Sequence, residues 1–477
     1  MKKVLCVMLS VCICFLAVAF ASKQTEVQAA DFSLSAQDFV KKISVGWNLG
    51  NTLDAHPTWG MSSTPTPYEQ ETGWNNPYTT TDMIDLVKSA GFNAVRLPVT
   101  WYPQVSENNG VYTVKSAWMN RVKEIAKYCA DNDMYVIVNM HHDDRKWLNI
   151  CANVTTWQKV KEKYRQIWVQ IADAFKDFYE HLILEGANEI VPTKAFCPDN
   201  YSSEHEFSYT NGDNIDTGSL CWWGLHNPEA YNRINELYQI FYNVVRNSGG
   251  NNDKRYLMLP TLGAQAHYYG SYLEKVYMPA KDNRMIVDIH WYSTGDQTKA
   301  TTRKQYTSYW KDQMDKRGFA IIMGECGFKE IEEPTTKVNW ANTFVADLRE
   351  NFNIPVFLWD DGGNYKIMNR SRVTWTTKSV DYVNAVTYAA ALDKPGFTTG
   401  TTKPPKPVLG DIDNDYKITT RDALIVRYYL AKKTLPADCN VSVATADMNY
   451  DQVVNALDLL IIRRILVRSE KTNTLLL

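Results

Sequence analysis

The sequence carries almost no net charge: 51 Lys and Arg stand against 53 Asp and Glu, a formal balance of −2. That removes the electrostatic footing on which nucleic-acid binding rests. After the N-terminal leader, no apolar run is long enough to span a bilayer. Cysteine is sparse. Of nine, Cys6, Cys12 and Cys14 fall in the leader. Cys129, Cys151, Cys197, Cys221, Cys326 and Cys439 remain, without metal-ligand spacing. Cys197 and Cys221 bracket a polar insertion; a bridge between them and free thiols in a reducing external habitat both fit. What the chain does have is aromatic side chains, with 15 Trp and 28 Tyr in 477 residues. Their faces stack on the apolar faces of sugar rings, so the excess suits a carbohydrate cleft, although any one Trp alone is better read as core.

Lys2-Lys3 followed by the apolar stretch Val4 to Phe20 reads as an export signal over residues 1–29. Val27-Gln28-Ala29 offers cleavage after Ala29, Ala19-Phe20-Ala21 offers the alternative after Ala21, and a retained anchor is the other reading. From there to Leu392, apolar runs alternate with amphipathic stretches. The runs are Ser44–Leu49, Asn93–Leu97, Met134–Met140, His181–Ala187, Tyr256–Pro260, Met285–Trp291, Phe319–Glu325 and Pro355–Trp359. Helical patterns between them include Asp82–Ala90, Ala117–Asn132, Val154–Phe178 and Pro228–Asn247. Eight strand–helix repeats predict an α/β fold, a (β/α)8 TIM barrel over 32–394, whose site lies at the C-terminal strand ends. Asn48, Arg96, His141, Glu189, His290, Glu325 and Trp359 fall there. Two of the runs end in a glutamate, Glu189 and Glu325. A carboxylate at such an end is costly to bury without a task, and an acid and a nucleophile on one rim are what retaining glycosidases need. The polar stretch Val191 to Gly224 is a long rim loop, suited to shaping substrate choice.

Residues 395–407, rich in Thr, Pro and Gly, form an extended linker. The segment 408–468 beyond it is internally duplicated. Asp411, Asp413, Asp415, Lys417, Thr419 and Asp422 stand at loop positions 1, 3, 5, 7, 9 and 12 ahead of an apolar helix pattern. Asp447, Asn449, Asp451, Val453, Asn455 and Asp458 repeat the arrangement. This is the EF-hand calcium spacing, with position 7 contributing a backbone carbonyl and Asp closing the loop. Two copies predict two bound Ca2+ in a small α-helical module. Tyr416 and Gln452 replace the usual Gly, which predicts strained loops or weaker binding.

Val45-Gly-Trp-Asn-Leu-Gly-Asn-Thr-Leu-Asp54, Arg96-Leu-Pro-Val-Thr-Trp101, Asn139-Met-His141-His142-Asp143, Asn188-Glu189, His290-Trp-Tyr292, Gly324-Glu325 and Trp359-Asp-Asp-Gly-Gly363 occur in that order. Together they resemble glycoside hydrolase family 5, on its branch of clostridial-type cellulases, lichenases and xyloglucanases. The duplicated module resembles a type I dockerin, which attaches enzymes to cohesin modules of a cellulosome scaffold. The resemblance implies a secreted, extracellular, cellulosome-associated retaining endo-β-1,4-glucanase acting on β-glucan, with no cofactor for catalysis and no membrane contact after signal cleavage. It implies Glu189 as acid/base and Glu325 as nucleophile. Asn188 would bind the sugar 2-hydroxyl, Tyr292 would contact Glu325, and His290 would lie by Glu189. Asn48, Arg96, His141, His142 and Trp359 would complete substrate binding, Arg96 keeping Glu325 ionised and Trp359 forming the floor. Ile190 follows Asn188-Glu189 where many relatives have Pro.

Competing readings are a xyloglucanase, lichenase, mannanase or xylanase on the same fold, a non-catalytic carbohydrate-binding subunit, and a metal-dependent hydrolase. His141-His142-Asp143-Asp144 invites the last. Neighbouring strand residues face opposite ways, however, so two adjacent histidines are expected to chelate one ion poorly. Trp59, Trp74, Trp147, Trp222 and Trp223 are the loop aromatics expected to choose the polysaccharide.

Overall fold

The computed structural model describes residues 32–57, 62–148, 150, 154–191, 206–207, 220–221, 228–279 and 281–391. In the C-terminal module it describes 412, 420–432, 441, 446, 453–456, 458–460 and 462–463. The leader, the linker, Trp59, Trp222, Trp223, Cys197, and Asp411, Asp413, Asp415, Lys417, Thr419, Asp447, Asn449 and Asp451 of the two loops lie outside the described residues. Among the described residues no helix is long and apolar enough to cross a membrane.

Eight parallel strands close into a barrel in sequence order. They are β1 Val45–Leu49, β2 Ala94–Leu97, β3 Tyr135–Asn139, β4 Leu182–Glu185, β5 Leu257–Gln265, β6 Met285–His290, β7 Ala320–Cys326 and β8 Val356–Asp360. Both faces of these strands are covered, which is why they read as continuous apolar runs. The helices Thr81–Ser89, Ser116–Asp131 and Pro228–Asn247 match the periodicity to within a residue at each end. Val154–Phe175 stops three residues short of its predicted end. There the buried guanidinium of Arg255 donates to the carbonyls of Phe175 and Phe178 at 3.0 and 2.8 Å, ending the helix by capping it.

Strand alternation sorts the barrel interior into layers. Ala94, Ile137, Ile183, Met258, Ile286, Ile322 and Phe357 pack together as an apolar layer. Two residues further along their strands stand Arg96, Asn139, Glu185, Pro260, Asp288, Gly324 and Trp359. The same periodicity that makes the core therefore lifts a polar layer above it. Below, Phe39 of the short helix Ala36–Val40 stacks on Tyr256 at 3.6 Å between ring centres and closes the barrel floor.

Two strands depart from the sequence reading. β5 was expected to stop at Pro260 but runs to Gln265 through Gly263 and Ala264, whose φ angles are +63° and +49°. The irregularity shifts the register against β6 so that Gln265 pairs with His290. β4 ends at Glu185, two residues short of the expected Ala187, so Glu189 sits four residues on in the following loop. In the small module, the helix Thr420–Leu430 packs on a cluster of Ile412, Ile425, Val426, Ala446 and Ile462.

Candidate active site

Arg96 is the centre of the polar layer. Its Nε and Nη2 donate to the two oxygens of Glu185, each at 2.7 Å. Nη1 donates to Glu325 Oε1 at 2.7 Å and Asn48 Oδ1 at 3.1 Å, and Nη2 also reaches Asn188 Oδ1 at 2.9 Å. Asn48 in turn donates to the carbonyls of Gly324 and Leu358 at 2.9 and 3.3 Å. Arg96 and Asn48 are fully buried. This corrects the expectation that they touch substrate: their side chains hold the carboxylates from beneath. Glu185, which the sequence reading passed over, is equally buried. Burial pushes it up to about 7 against the pull of Arg96.

Gly324 is where the layer opens toward the cleft. A Cβ there would fall 2.3 Å from Asp288 Oδ1, which instead accepts the Gly324 N–H at 2.8 Å. The register slips at this point, pairing Glu325 rather than Gly324 with His290. The slip brings Glu325 to the rim. Tyr292 Oη donates to Glu325 Oε2 at 2.8 Å, so both carboxylate oxygens are held. Burial raises the Glu325 pKa while His290 and Arg96 oppose it. Because Arg96 also serves Glu185, it steadies Glu325 less than a dedicated partner would.

His290 links two carboxylates. Nδ1 meets Glu189 Oε1 at 2.7 Å and Nε2 meets Asp288 Oδ2 at 3.0 Å. Burial works against its charge, but Glu325 and Asp288 outweigh burial and hold its pKa well above the ordinary histidine value. One oxygen of Glu189 and one of Glu325 lie within 4.8 Å of each other and of a His290 nitrogen. Glu189 keeps about a fifth of its side chain exposed. Tyr292, by contrast, has its phenol proton locked in place: burial and Glu325 drive its pKa far upward.

On the other side of the cleft, the ring of Trp359 is half-buried and parallel to His141 at 5.8 Å. A Cβ on Gly50 would lie 2.7 Å from that indole, so glycine is needed for the ring to lie flat. His141 and His142 are not on opposite faces. β3 has ended, His141 has left the strand conformation, and the two rings meet edge to face at 4.4 Å. The premise of the argument against chelation therefore fails, and atoms of Asp54, His141 and His142 do lie within 4.8 Å of one another. A different observation argues against a metal there. Asn139 Oδ1 accepts the Val99 N–H at 3.0 Å, which orients its amide nitrogen toward His141 Nδ1 at 3.1 Å. His141 Nδ1 is thus the acceptor, and Nε2, which faces Glu325 Oε1 at 3.9 Å, carries the proton. Asp143 is committed elsewhere, accepting from the Trp101 and Tyr102 N–H groups and the Trp147 indole at 2.8, 3.0 and 2.7 Å. Trp147 is accordingly core, whereas Trp74 lies at 5.8 Å from His142 on the rim.

Asp54 gives a pH signature. Burial raises it to about 7 from 3.8; Oδ1 accepts the Thr52 N–H and Oδ2 is buried without a hydrogen bond. Between those two values the folded chain keeps a proton that the unfolded chain has lost. Stability from this group is complete at low pH and declines as pH rises toward 7. Asp54→Asn, which keeps the shape and removes the titration, is expected to raise the urea midpoint above wild type at pH 8 and to match it near pH 4. A constant offset across that range would contradict the assignment.

A sequence model of the cellulase family, glycosyl hydrolase family 5, matches residues 54–364. The chain belongs to glycosyl hydrolase family 5. A second family model, the type I dockerin domain, matches residues 409–467. Endoglucanase B of Clostridium cellulovorans is 34% identical over 421 residues, covering 83% of each chain. A GH5-4 broad-specificity endoglucanase from Ruminococcus champanellensis, solved with bound cellotriose, superimposes with a TM-score of 0.62 at 32% identity, over 74% of this chain and 98% of that one. A family 5 xyloglucan-specific endo-β-1,4-glucanase from a metagenomic library, also solved with cellotriose, gives 0.60 at 28%, over 74% and 98%.

Family 5 membership makes the chain a glycoside hydrolase of a retaining family, an endoglucanase with a dockerin. Type I dockerins bind calcium and imply a cohesin partner. Of the expected calcium ligands in this family 5 protein, Asp422 and Asp458 are described and fully buried. Asp422 Oδ1 accepts the Ile412 N–H at 2.6 Å, and Asp458 Oδ2 accepts the Asn455 N–H at 2.7 Å. Val453 and Asn455 are described as well, the Asn455 amide donating to the Val453 carbonyl at 3.1 Å. Asp422 and Asp458 thus stand as buried carboxylates at the last position of each loop, and oxygen donors of this kind suit calcium.

Proposed function

We propose that the protein is a secreted, cellulosome-bound endo-β-1,4-glucanase in which Glu189 is the acid/base and Glu325 the nucleophile. The carrying observation is the approach of their oxygens to within 4.8 Å with His290 between them. Retaining pairs stand about 5–5.5 Å apart, whereas inverting pairs need about 6.5–9.5 Å to admit water. Glu325, gripped at both oxygens, cannot rotate away from the anomeric carbon. The proton for the departing oxygen belongs to the Glu189–His290 pair. Asp288 holds the imidazole so that Nδ1 faces Glu189 whichever of the two carries that proton. Glycosylation of Glu325 removes a negative charge beside Glu189, which then serves as base for water. Asn188, whose oxygen is taken by Arg96, has its amide nitrogen to offer the 2-hydroxyl. His141 Nε2–H and the Trp359 face bind the glucosyl unit on the opposite side, and His142 extends that wall. Anomeric NMR of early hydrolysis products is expected to show the β-anomer first; an initial α-anomer would overturn the double displacement.

The two Ca2+ and the extracellular location form the second part of the proposal. A module of this size has a small core, and loops crowded with carboxylates repel one another without a cation. EDTA is expected to abolish cohesin binding in calorimetry while the full chain keeps its hydrolytic rate. Cohesin binding that persists in EDTA would contradict the calcium loops, and hydrolysis lost in step would contradict the independence of the barrel.

A further inference from the structure

The turn that follows β5 carries aromatic side chains that the chemistry above does not use. Gln265 pairs with His290 at the rim, and the chain then continues through His267, Tyr268 and Tyr269. Tyr268 is 40% and Tyr269 62% exposed, which is unusual for large rings so close to a core. They are not loosely placed. The Tyr269 ring stacks on His267 at 4.7 Å and 20°, and Tyr268 stands edge-on to Tyr306 at 5.3 Å. His267 Nδ1 is 2.5 Å from Tyr306 Oη. Tyr306 lies flat on Trp291 at 4.3 Å, and the Trp291 N–H bonds the Glu325 carbonyl at 3.1 Å. Two residues after Tyr269, Ser271 is held in the left-handed conformation at φ +51°, and Tyr231 Oη donates to the Gly270 carbonyl at 3.3 Å. A rigid stack thus runs from the nucleophile's strand to the exposed Tyr268 and Tyr269 rings, which stand at 77° to each other with centres 5.5 Å apart, so only one of them can lie flat on a given sugar.

The barrel order says which side of the scissile bond these faces serve. His141 and Trp359 come from the ends of β3 and β8, and Glu189 comes from the loop after β4. An acid protonates the oxygen that departs, so the leaving part of the glycan extends past Glu189, away from His141 and Trp359 and toward β5 and β6. We propose that Tyr269, the more exposed of the two, forms a sugar-stacking platform for the leaving-side residues of a β-linked glucan chain, beyond the ring that carries the departing oxygen, with Tyr268 set crosswise beside it as a wall. This rests on the reading of Glu189 and Glu325 above. Phenol faces match the apolar faces of equatorial sugars, and pre-set rings lose little freedom on binding.

The test compares cellohexaose, which spans both sides of the cleft, with an aryl β-cellobioside, whose leaving group ends one ring past the scissile bond. For Tyr269→Ala and the Tyr268→Ala/Tyr269→Ala pair, kcat/KM on cellohexaose is expected to fall about tenfold, mainly through KM, with the aryl substrate within about twofold of wild type. Tyr269→Trp, which keeps a face and loses the hydroxyl, is expected to retain wild-type values on both. Equal losses on the two substrates, or none on cellohexaose, would overturn the platform while leaving the catalytic reading in place. No cleavage of either substrate by wild type would overturn the catalytic reading and the platform with it.

Discussion

Glu325→Ala is expected to abolish hydrolysis of glucans and aryl glycosides alike, because no covalent intermediate forms without the nucleophile. Glu189→Ala is expected to lose a factor on the order of 10²–10⁴ on glucan, the usual worth of a positioned acid/base. It should form the intermediate readily when the leaving group needs no proton, then stall. Azide separates the two cases. In the Glu189 variant it attacks the glycosyl-enzyme and gives a β-glycosyl azide. In the Glu325 variant it enters the vacated side and gives the α-azide. The reverse pattern of azide anomers would exchange the two roles, and unimpaired hydrolysis by either variant would remove that residue from the mechanism.

Arg96→Met should produce a large loss of stability. It leaves Glu185 buried and deprived of a bidentate partner, and breaking a buried pair in this way costs about 3–5 kcal/mol. It also frees Glu325 Oε1 and Asn188 Oδ1, so activity falls with stability. The double variant Arg96→Met/Glu185→Leu separates the effects. Its urea midpoint should recover much of the loss, because the unpaired carboxyl is gone, while its activity stays low, because Glu325 Oε1 remains without the Arg96 donor and only Tyr292 holds the carboxylate. A single variant as stable as wild type would show that the pair contributes no ionic stabilisation.

The architecture was legible because parallel strands buried on both faces leave an unmistakable apolar pattern; all eight were found, six of them to within one residue at each end. The errors fall where backbone irregularity overrides periodicity. Pro260 looked like the end of a strand that continues through a bulge at Gly263 and Ala264. His141 looked like a strand residue and had already left the strand. Among candidate site residues, motif order points to those at the rim and says little of the layer beneath. Glu185 lies inside the apolar run Leu-Ile-Leu-Glu, where its neighbours mask it, and the Asn188-Glu189 motif stands just after it. A signal was present: Arg96 falls two residues after Ala94 on a strand whose alternate positions face inward, and an interior arginine demands an interior carboxylate. Asp288, two residues after Ile286, could have been found by the same reasoning. The fixed protonation of His141, in contrast, depends on how Asn139 is turned by a backbone group from a neighbouring strand end, and no spacing encodes that.

The stack of Phe39 on Tyr256 at the barrel floor bears on maturation. Among the described residues, the contacts of the floor begin with Phe32, which lies against Tyr256 at 6.0 Å, and Ala36, whose N–H bonds the Asn283 carbonyl at 2.7 Å. Both cuts offered by the leader, after Ala21 or after Ala29, fall upstream of them. Either cut expected of the leader would therefore leave Phe32, Ala36 and Phe39 in the mature chain, and the barrel floor would keep its plug whichever site the peptidase chose.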